Sequence, residues 1–322
     1  MGENGKPKFA MYWAAGCGGC EIGVLDIQEA LLDVADFFEI VFWPVAIDAK
    51  YKDVEAFEDG YIDLCLFNGS IRSDENRHMA QLLRAKSKIL VAFGSCAHEG
   101  CIPGLGNQYG TEALMDYAYS LSPSTENPQG LRPQAVYEMP EGDLEIPTLL
   151  DVLTPLDAVV NVDYYVPGCP PQPPQILAVM TAIMQGAELP PPGSVIGAGV
   201  KTVCDECPRE RKEKKIREFK RPGTAQPNPN ECLLDQGFIC LGPATRSGCD
   251  ALCVKANAPC RGCYGAPPNV EDQGARMMSA IASVIDSSDP EEIQRIIASL
   301  DDPLGTFYRF SLAKSSLRRL AR

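Results

Sequence analysis

Fourteen cysteines and only two histidines, His78 and His98, stand in a chain of 322 residues. The cysteines are grouped. Cys17 and Cys20 form a C-x-x-C pair in "YWAAGCGGCEIGVLD", Cys96 closes "KILVAFGSC", and Cys169 ends "YYVPGC". Eight more crowd into residues 204–263: Cys204, Cys207, Cys232, Cys240, Cys249, Cys253, Cys260 and Cys263. A C-x-x-C pair alone fits a redox disulfide, half a zinc site or half an iron–sulfur site. The N-terminal "MGENGKPKFAMYW" carries no secretory pattern, and no apolar run reaches the roughly 18 residues of a membrane span, so a cytoplasmic protein is expected. Thiols stay reduced there, which argues against a disulfide scaffold. With histidine so scarce, any metal site must be thiolate-rich, favouring zinc or iron–sulfur. A net charge of −14 disfavours nucleic acid as a partner.

These residues need elements to position them. "KFAMYWA", "EIVFWPVAI", "DLCLFNGSI", "KILVAFGSC" and "AVVNVDYYVPGCP" predict strands. "EIGVLDIQEALLDVADFF", "ENRHMAQLLRAKSK" and "PQILAVMTAIMQGA" carry helical spacing of apolar residues. Strands alternating with helices imply an α/β fold with a doubly wound parallel sheet. Ligands of such sheets bind outside the carboxyl ends of the strands. Three strand ends therefore deliver Cys17, Cys20, Cys96 and Cys169 to one edge, a set suited to a 4Fe-4S cluster. Cys65, inside the apolar "DLCLF", is expected in the core. Cys101 is surplus to four ligands, and His98 is expected beside the site rather than as a ligand.

The Pro- and Gly-rich "ELPPPGSVIGAG" (188–199) marks a boundary between domains. Beyond it, eight cysteines make two four-cysteine sites, and with little apolar periodicity the segment is expected to be held together by its metals. C-x-x-C pairs do not by themselves separate zinc from iron–sulfur. The basic "PRERKEKKIREFKRP" (208–222) is either a solvated helical face or a docking surface beside Cys204 and Cys207. From "VEDQGARMMSAIASVI" onward, two short amphipathic helices with Asp-Pro breaks are predicted, before the cationic end "SSLRRLAR".

On "AGCGGCE", "AFGSCA", "VPGCPPQPPQI", "CLLDQGFICLGPAT", "GCDALC" and "CRGC", all in this order, the chain resembles the small, electron-transferring subunit of nickel–iron hydrogenases. The resemblance implies a flavodoxin-like domain over 1–187, a linker over 188–199, a smaller ferredoxin-like, irregular iron–sulfur-cluster domain over 200–270, and a helical tail over 271–322. It also implies three 4Fe-4S clusters. Cys17, Cys20, Cys96 and Cys169 would hold the proximal one, next to the nickel–iron centre of a large subunit. Cys204, Cys207, Cys232 and Cys240 would hold the distal one, where many relatives have an H-x-x-C pair. Cys249, Cys260 and Cys263 would hold the medial one, with Cys253 as fourth thiolate where many relatives have proline. Glu21, next to Cys20, is either a proton carrier near the partner or a helix-start carboxylate favoured by the dipole.

These departures resemble the cytoplasmic hydrogenases that do not reduce coenzyme F420, also called methyl-viologen-reducing. Their electrons pass to a small iron–sulfur acceptor protein and on to heterodisulfide reductase. The neighbouring alternative is the small subunit of the coenzyme-F420-reducing enzyme. A quinone-reductase-type subunit and a zinc-stabilised interaction module without a redox role are more distant alternatives. The chain alone is expected to have no hydrogen activity, because the nickel–iron site belongs to the partner.

Overall fold

The computed structural model describes residues 5–212 and 216–318. Its centre is a sheet of six parallel strands: β1 (Lys8–Trp13), β2 (Glu39–Phe42), β3 (Ile62–Asn68), then β5 (Ser87–Phe93), β9 (Tyr164–Val166) and β10 (Ser194–Val195). A short β4 (Ile71–Ser73) pairs antiparallel with β8 (Leu149–Thr154), and β6 (Val136–Tyr137) with β7 (Leu144–Glu145). The strand order in the sheet is β10-β9-β5-β3-β1-β2. Leaving aside the edge strand β10, this is the 2-1-3-4-5 doubly wound order, which reverses beside β1. All five strand predictions fall on strands of this sheet, and 188–199 contributes β10 to its edge.

The strands are near-continuous apolar runs because both faces are covered. Alternate residues divide between two cores. Ala10, Tyr12, Cys65, Phe67, Leu90 and Ala92 enter one. Phe9, Met11, Leu64, Leu66, Val91 and Phe93 enter the other. Cys65 is fully buried between Ala10 and Leu90, as expected of a core thiol.

The first predicted helix is two, α1 (Gly19–Leu25) and α2 (Ala30–Phe37). Gln28, at φ 58°, turns the chain between them. The turn lets Val24 and Ile27 on one side and Val34 and Phe38 on the other reach the same core. Next come α3 (Tyr51–Glu55) and α4 (Asp74–Lys86), the latter capped by Ser73, whose Oγ accepts the Asn76 amide at 3.1 Å. Then follow α5 (Ser95–Glu99), α6 (Thr111–Asp116) and α7 (Pro173–Met184).

The second half has α8 (Val203–Glu206), α9 (Leu252–Lys255), α10 (Gln273–Ala282), α11 (Pro290–Ala298) and α12 (Pro303–Phe307). Three tail helices thus stand where two were predicted. The additional one follows an Asp-Pro break: Asp302 accepts the Gly305 amide at 2.9 Å, and Pro303 opens the helix.

The cysteine-rich region also has apolar cores. Ile216, Phe219, Leu234, Ile239 and Leu241 bury with Met277, Ile281, Ile296, Phe307 and Leu312 of the tail. Their source is loops, so no periodicity announces them. The basic stretch 208–222 is no helix among its described residues, and its 213–215 lie outside them, as do 319–322 of the cationic end. Arg209 turns inward instead, donating to Asn228 O, Glu231 O and Val254 O. No helix among the described residues is long and apolar enough to cross a membrane.

Candidate functional site: three sets of cysteines in series

β1 ends at Trp13, and the chain turns back against β3: Ala14 N donates to Asn68 O at 2.8 Å, and Ala15 bridges Ser70. Cys17 is exposed on this turn, and Cys20 sits in the first turn of α1. Behind β5, Gly94 (φ 85°) passes so close to Cys20 that a methyl group there would collide with its sulfur. Only glycine fits both this conformation and this approach. The next turn, α5, carries Cys96. The loop after β9 carries Cys169 and is tied to the loop after β5, since Ser95 N donates to Gly168 O at 2.7 Å. Burial pushes the Cys20 thiol up, and the Cys169 and Cys17 thiols add to it. The four cysteines at strand ends thus meet at one edge, as the fold rule requires.

A fifth thiol joins them. Cys101 is buried and its sulfur lies 3.6 Å from that of Cys169. Glu21 is buried with both oxygens engaged: Trp43 Nε1 donates to one at 2.6 Å and Asn68 Nδ2 to the other at 2.9 Å. Its carboxyl is held above the usual range by burial, against which these two bonds work. His98 packs its ring on Tyr165 at 4.8 Å between centroids.

Cys204, on α8, and Cys207, just after it, line one cavity with Cys232 and Cys240. Thr202 caps α8 through Asp205 and so orients Cys204. The Arg211 guanidinium donates to Cys204 O at 2.8 Å. Burial pushes the Cys204 thiol up to about 12; Arg211 opposes this and the Cys240, Cys232 and Cys207 thiols add to it.

Cys249 precedes α9, Cys253 lies on it, and Cys260 and Cys263 follow in a loop. Burial pushes the Cys263 thiol up to about 12, with Cys253, Cys169 and Cys249 contributing. Cys263 therefore faces both its own group and Cys169 of the first set. At the other side, the Cys260 amide donates to the Cys240 sulfur at 3.3 Å. The loop is pinned by Tyr264, whose buried hydroxyl donates to Gln175 Oε1 at 2.7 Å, while Gln175 Nε2 donates to Pro167 O at 3.0 Å. Neither Tyr264 nor Gln175 was singled out from the sequence. Their signal was only their place, directly after Cys263 and shortly after Cys169.

The donor chemistry fits iron–sulfur clusters. Twelve soft thiolate donors in three fours suit clusters bound by four cysteines. Gly242 repeats the cradle seen at Gly94: a methyl there would stand 3.0 Å from the Cys204 sulfur. Among the described residues, no three Cys, His, Asp or Glu side chains close on one point as a single bound ion requires.

Comparison with known proteins agrees with this architecture. Residues 17–183 match the family model described as NADH ubiquinone oxidoreductase, 20 Kd subunit. The F420-non-reducing hydrogenase iron-sulfur subunit of Archaeoglobus profundus is 43% identical over 318 residues, covering 97% of this chain and 98% of that protein. The corresponding F420-non-reducing hydrogenase subunit of Methanocaldococcus jannaschii is 38% identical, covering 98% of each. A [NiFeSe] hydrogenase chain from Desulfovibrio vulgaris Hildenborough superposes with a TM-score of 0.51 over 88% of this chain and 98% of that one, at 16% identity, a likeness of fold alone. The chain belongs to the nickel–iron hydrogenase small-subunit family, alongside these subunits of F420-non-reducing hydrogenases. It is one component of an oxidoreductase acting on hydrogen, and a small subunit implies a large-subunit partner.

Proposed function

We propose that this chain is the electron relay of its hydrogenase, with three 4Fe-4S clusters held by the three sets of cysteines. When bound, such clusters pass electrons one at a time from the hydrogen-oxidising partner toward an acceptor. Cys17, Cys20, Cys96 and Cys169 hold the proximal cluster, Cys249, Cys253, Cys260 and Cys263 the medial one, and Cys204, Cys207, Cys232 and Cys240 the distal one. The observation that carries this reading is serial contact. Cys263 lies against Cys169, and the Cys260 backbone amide donates to the Cys240 sulfur, so each set touches the next.

The chain's residues supply position and environment. Gly94 and Gly242 admit sulfur close to the backbone, and Tyr264 with Gln175 holds the medial loop on the proximal one. Glu21, with both oxygens engaged, is read as the anchor of the turn rather than as a proton carrier. Thiolate ligation throughout favours low potentials, which suits a low-potential acceptor. The acceptor proposed is a small iron–sulfur protein leading to heterodisulfide reductase, as the resemblance implies; the relatives' names, F420-non-reducing, speak against coenzyme F420 in its place. The large subunit is proposed to cover the face around exposed Cys17, where Trp13, Ile22 and Leu25 are also exposed. The segment 109–152 adds exposed Tyr117, Leu121, Leu131 and Leu144.

The test is metal analysis of the complex purified without oxygen. The reading expects about twelve irons per chain, from three clusters of four. Zinc in their place, or iron for one cluster only, refutes it.

A further inference from the structure

A polar cavity of about 250 Å³ lies away from all twelve proposed ligands, lined by His98, Glu99, Arg246, Asp272, Ser311 and Lys314 among others. Four buried atoms of these residues have no hydrogen-bond partner: His98 Nδ1, Glu99 Oε2, Arg246 Nε and Ser311 Oγ. Buried polar atoms are paired as a rule, so four exceptions around one cavity call for an explanation. Glu99 is the unusual member. It is a carboxyl only 5% exposed, on α5 three residues after Cys96. It also packs on the loop of the medial set, where a methyl on Gly265 would stand 2.7 Å from its Oε1. Arg246 closes the same corner, its amide donating to Gly265 O at 2.8 Å. Glu99 thus sits between the segments that carry the proximal and medial cysteines, on a cavity whose rim includes Glu271 and Asp272.

We propose that Glu99 binds one proton when a neighbouring cluster is reduced and gives it back on reoxidation, with the cavity as the proton's route. The proposal rests on the relay reading. The balance is simple: the electron comes from hydrogen oxidised in the partner, the proton from solvent through the cavity, and a carboxylate becomes a carboxylic acid. A unit charge about 10 Å away, in an effective dielectric of about 20, raises a carboxyl's proton affinity on the order of tenfold. Burial already pushes Glu99 up to about 7; the facing cations Lys314 and Arg246 oppose this, and Asp157 adds to it. Lys314 is itself held by Asp157 and by His98 O, at 2.6 and 3.1 Å, so its pull on Glu99 is shared. A group balanced near neutral pH responds most to a nearby electron.

The experiment is infrared difference spectroscopy of the intact hydrogenase complex, reduced minus oxidised, with cluster reduction followed by electron paramagnetic resonance. Wild type should gain a protonated-carboxyl band on reduction that shifts in heavy water, and Glu99→Gln should lack it. The potential of at least one cluster should fall as pH rises from roughly 6 to 8 in wild type and stay flat in the variant. An identical band in Glu99→Gln, or equal pH dependence in both proteins, overturns the proposal. If the variant loses its clusters, wild type decides: potentials independent of pH in that range overturn it. Absence of any reducible iron–sulfur signal in wild type would instead overturn the relay reading, and the proposal with it.

Discussion

The backbone amide of Cys260 donates to the sulfur of Cys240 at 3.3 Å. One bond joins two sets of cysteines assigned to different clusters. A hydrogen bond to a thiolate sulfur also stabilises its negative charge, one of the ways a protein tunes a cluster. Replacing Cys240 with serine should therefore remove the distal cluster signal and spare the proximal one. Losing a ligand should cost more than the roughly 10–100-fold effect of disturbing an outer partner. Acceptor reduction should collapse, while hydrogen–deuterium exchange at the partner's metal centre continues. Exchange and acceptor reduction lost together would show that the relay order is wrong.

Cys253 tests the medial assignment. It lies in the first turn of α9, after Ala251 as the cap, where proline is tolerated. It adds to the raised pKa of both Cys249 and Cys263, so its thiol shares their space. Cys253→Pro should convert the medial cluster to a 3Fe form with a higher potential. Electron paramagnetic resonance of the oxidised complex should then show the 3Fe signal. An unchanged 4Fe cluster would make Cys253 a bystander.

Cys65 should behave otherwise. Its thiol is fully buried in β3 and pushed up to about 12 by that burial. Cys65→Ser brings a hydroxyl into the core, at a cost of about 1–3 kcal/mol. The lower end is expected, because Ser87 Oγ lies beside the thiol and can pair with the new hydroxyl. Chemical denaturation should record this loss with all cluster spectra unchanged. A missing cluster signal would mean that the proximal ligands are misassigned.

Glu99 also predicts a pH dependence of stability. Its folded pKa of about 7 lies above the ordinary 4.5. The folded chain therefore binds more protons than the unfolded chain between these values, and stability falls as pH rises from 4.5 to 7. Glu99→Gln removes this term. The variant should gain up to about 3 kcal/mol relative to wild type above pH 7 and little near pH 4.5. Thermal unfolding at several pH values measures it. A constant difference across the range would show that Glu99 does not titrate in the fold.

Sequence alone nominated the cysteines, the parallel sheet and the strand ends that carry the first set. It could do so because alternating and continuous apolar runs encode which faces are buried, and a parallel sheet collects its carboxyl ends at one edge. The single helix predicted over α1 and α2 missed a break: Val24, Ile27, Val34 and Phe38 are spaced as on one face of a continuous helix, so the apolar period does not register the left-handed turn at Gln28. Only the tertiary structure decided how the cysteine sets connect. The Tyr264–Gln175 bond joins residues 89 apart, and the core shared by Phe219 and Phe307 is built from loops and short helices. The cavity at Glu99 draws on four separate stretches, around residues 98, 246, 270 and 311. Such contacts form between surfaces with no local period, so they exist only once the two halves of the chain have packed together.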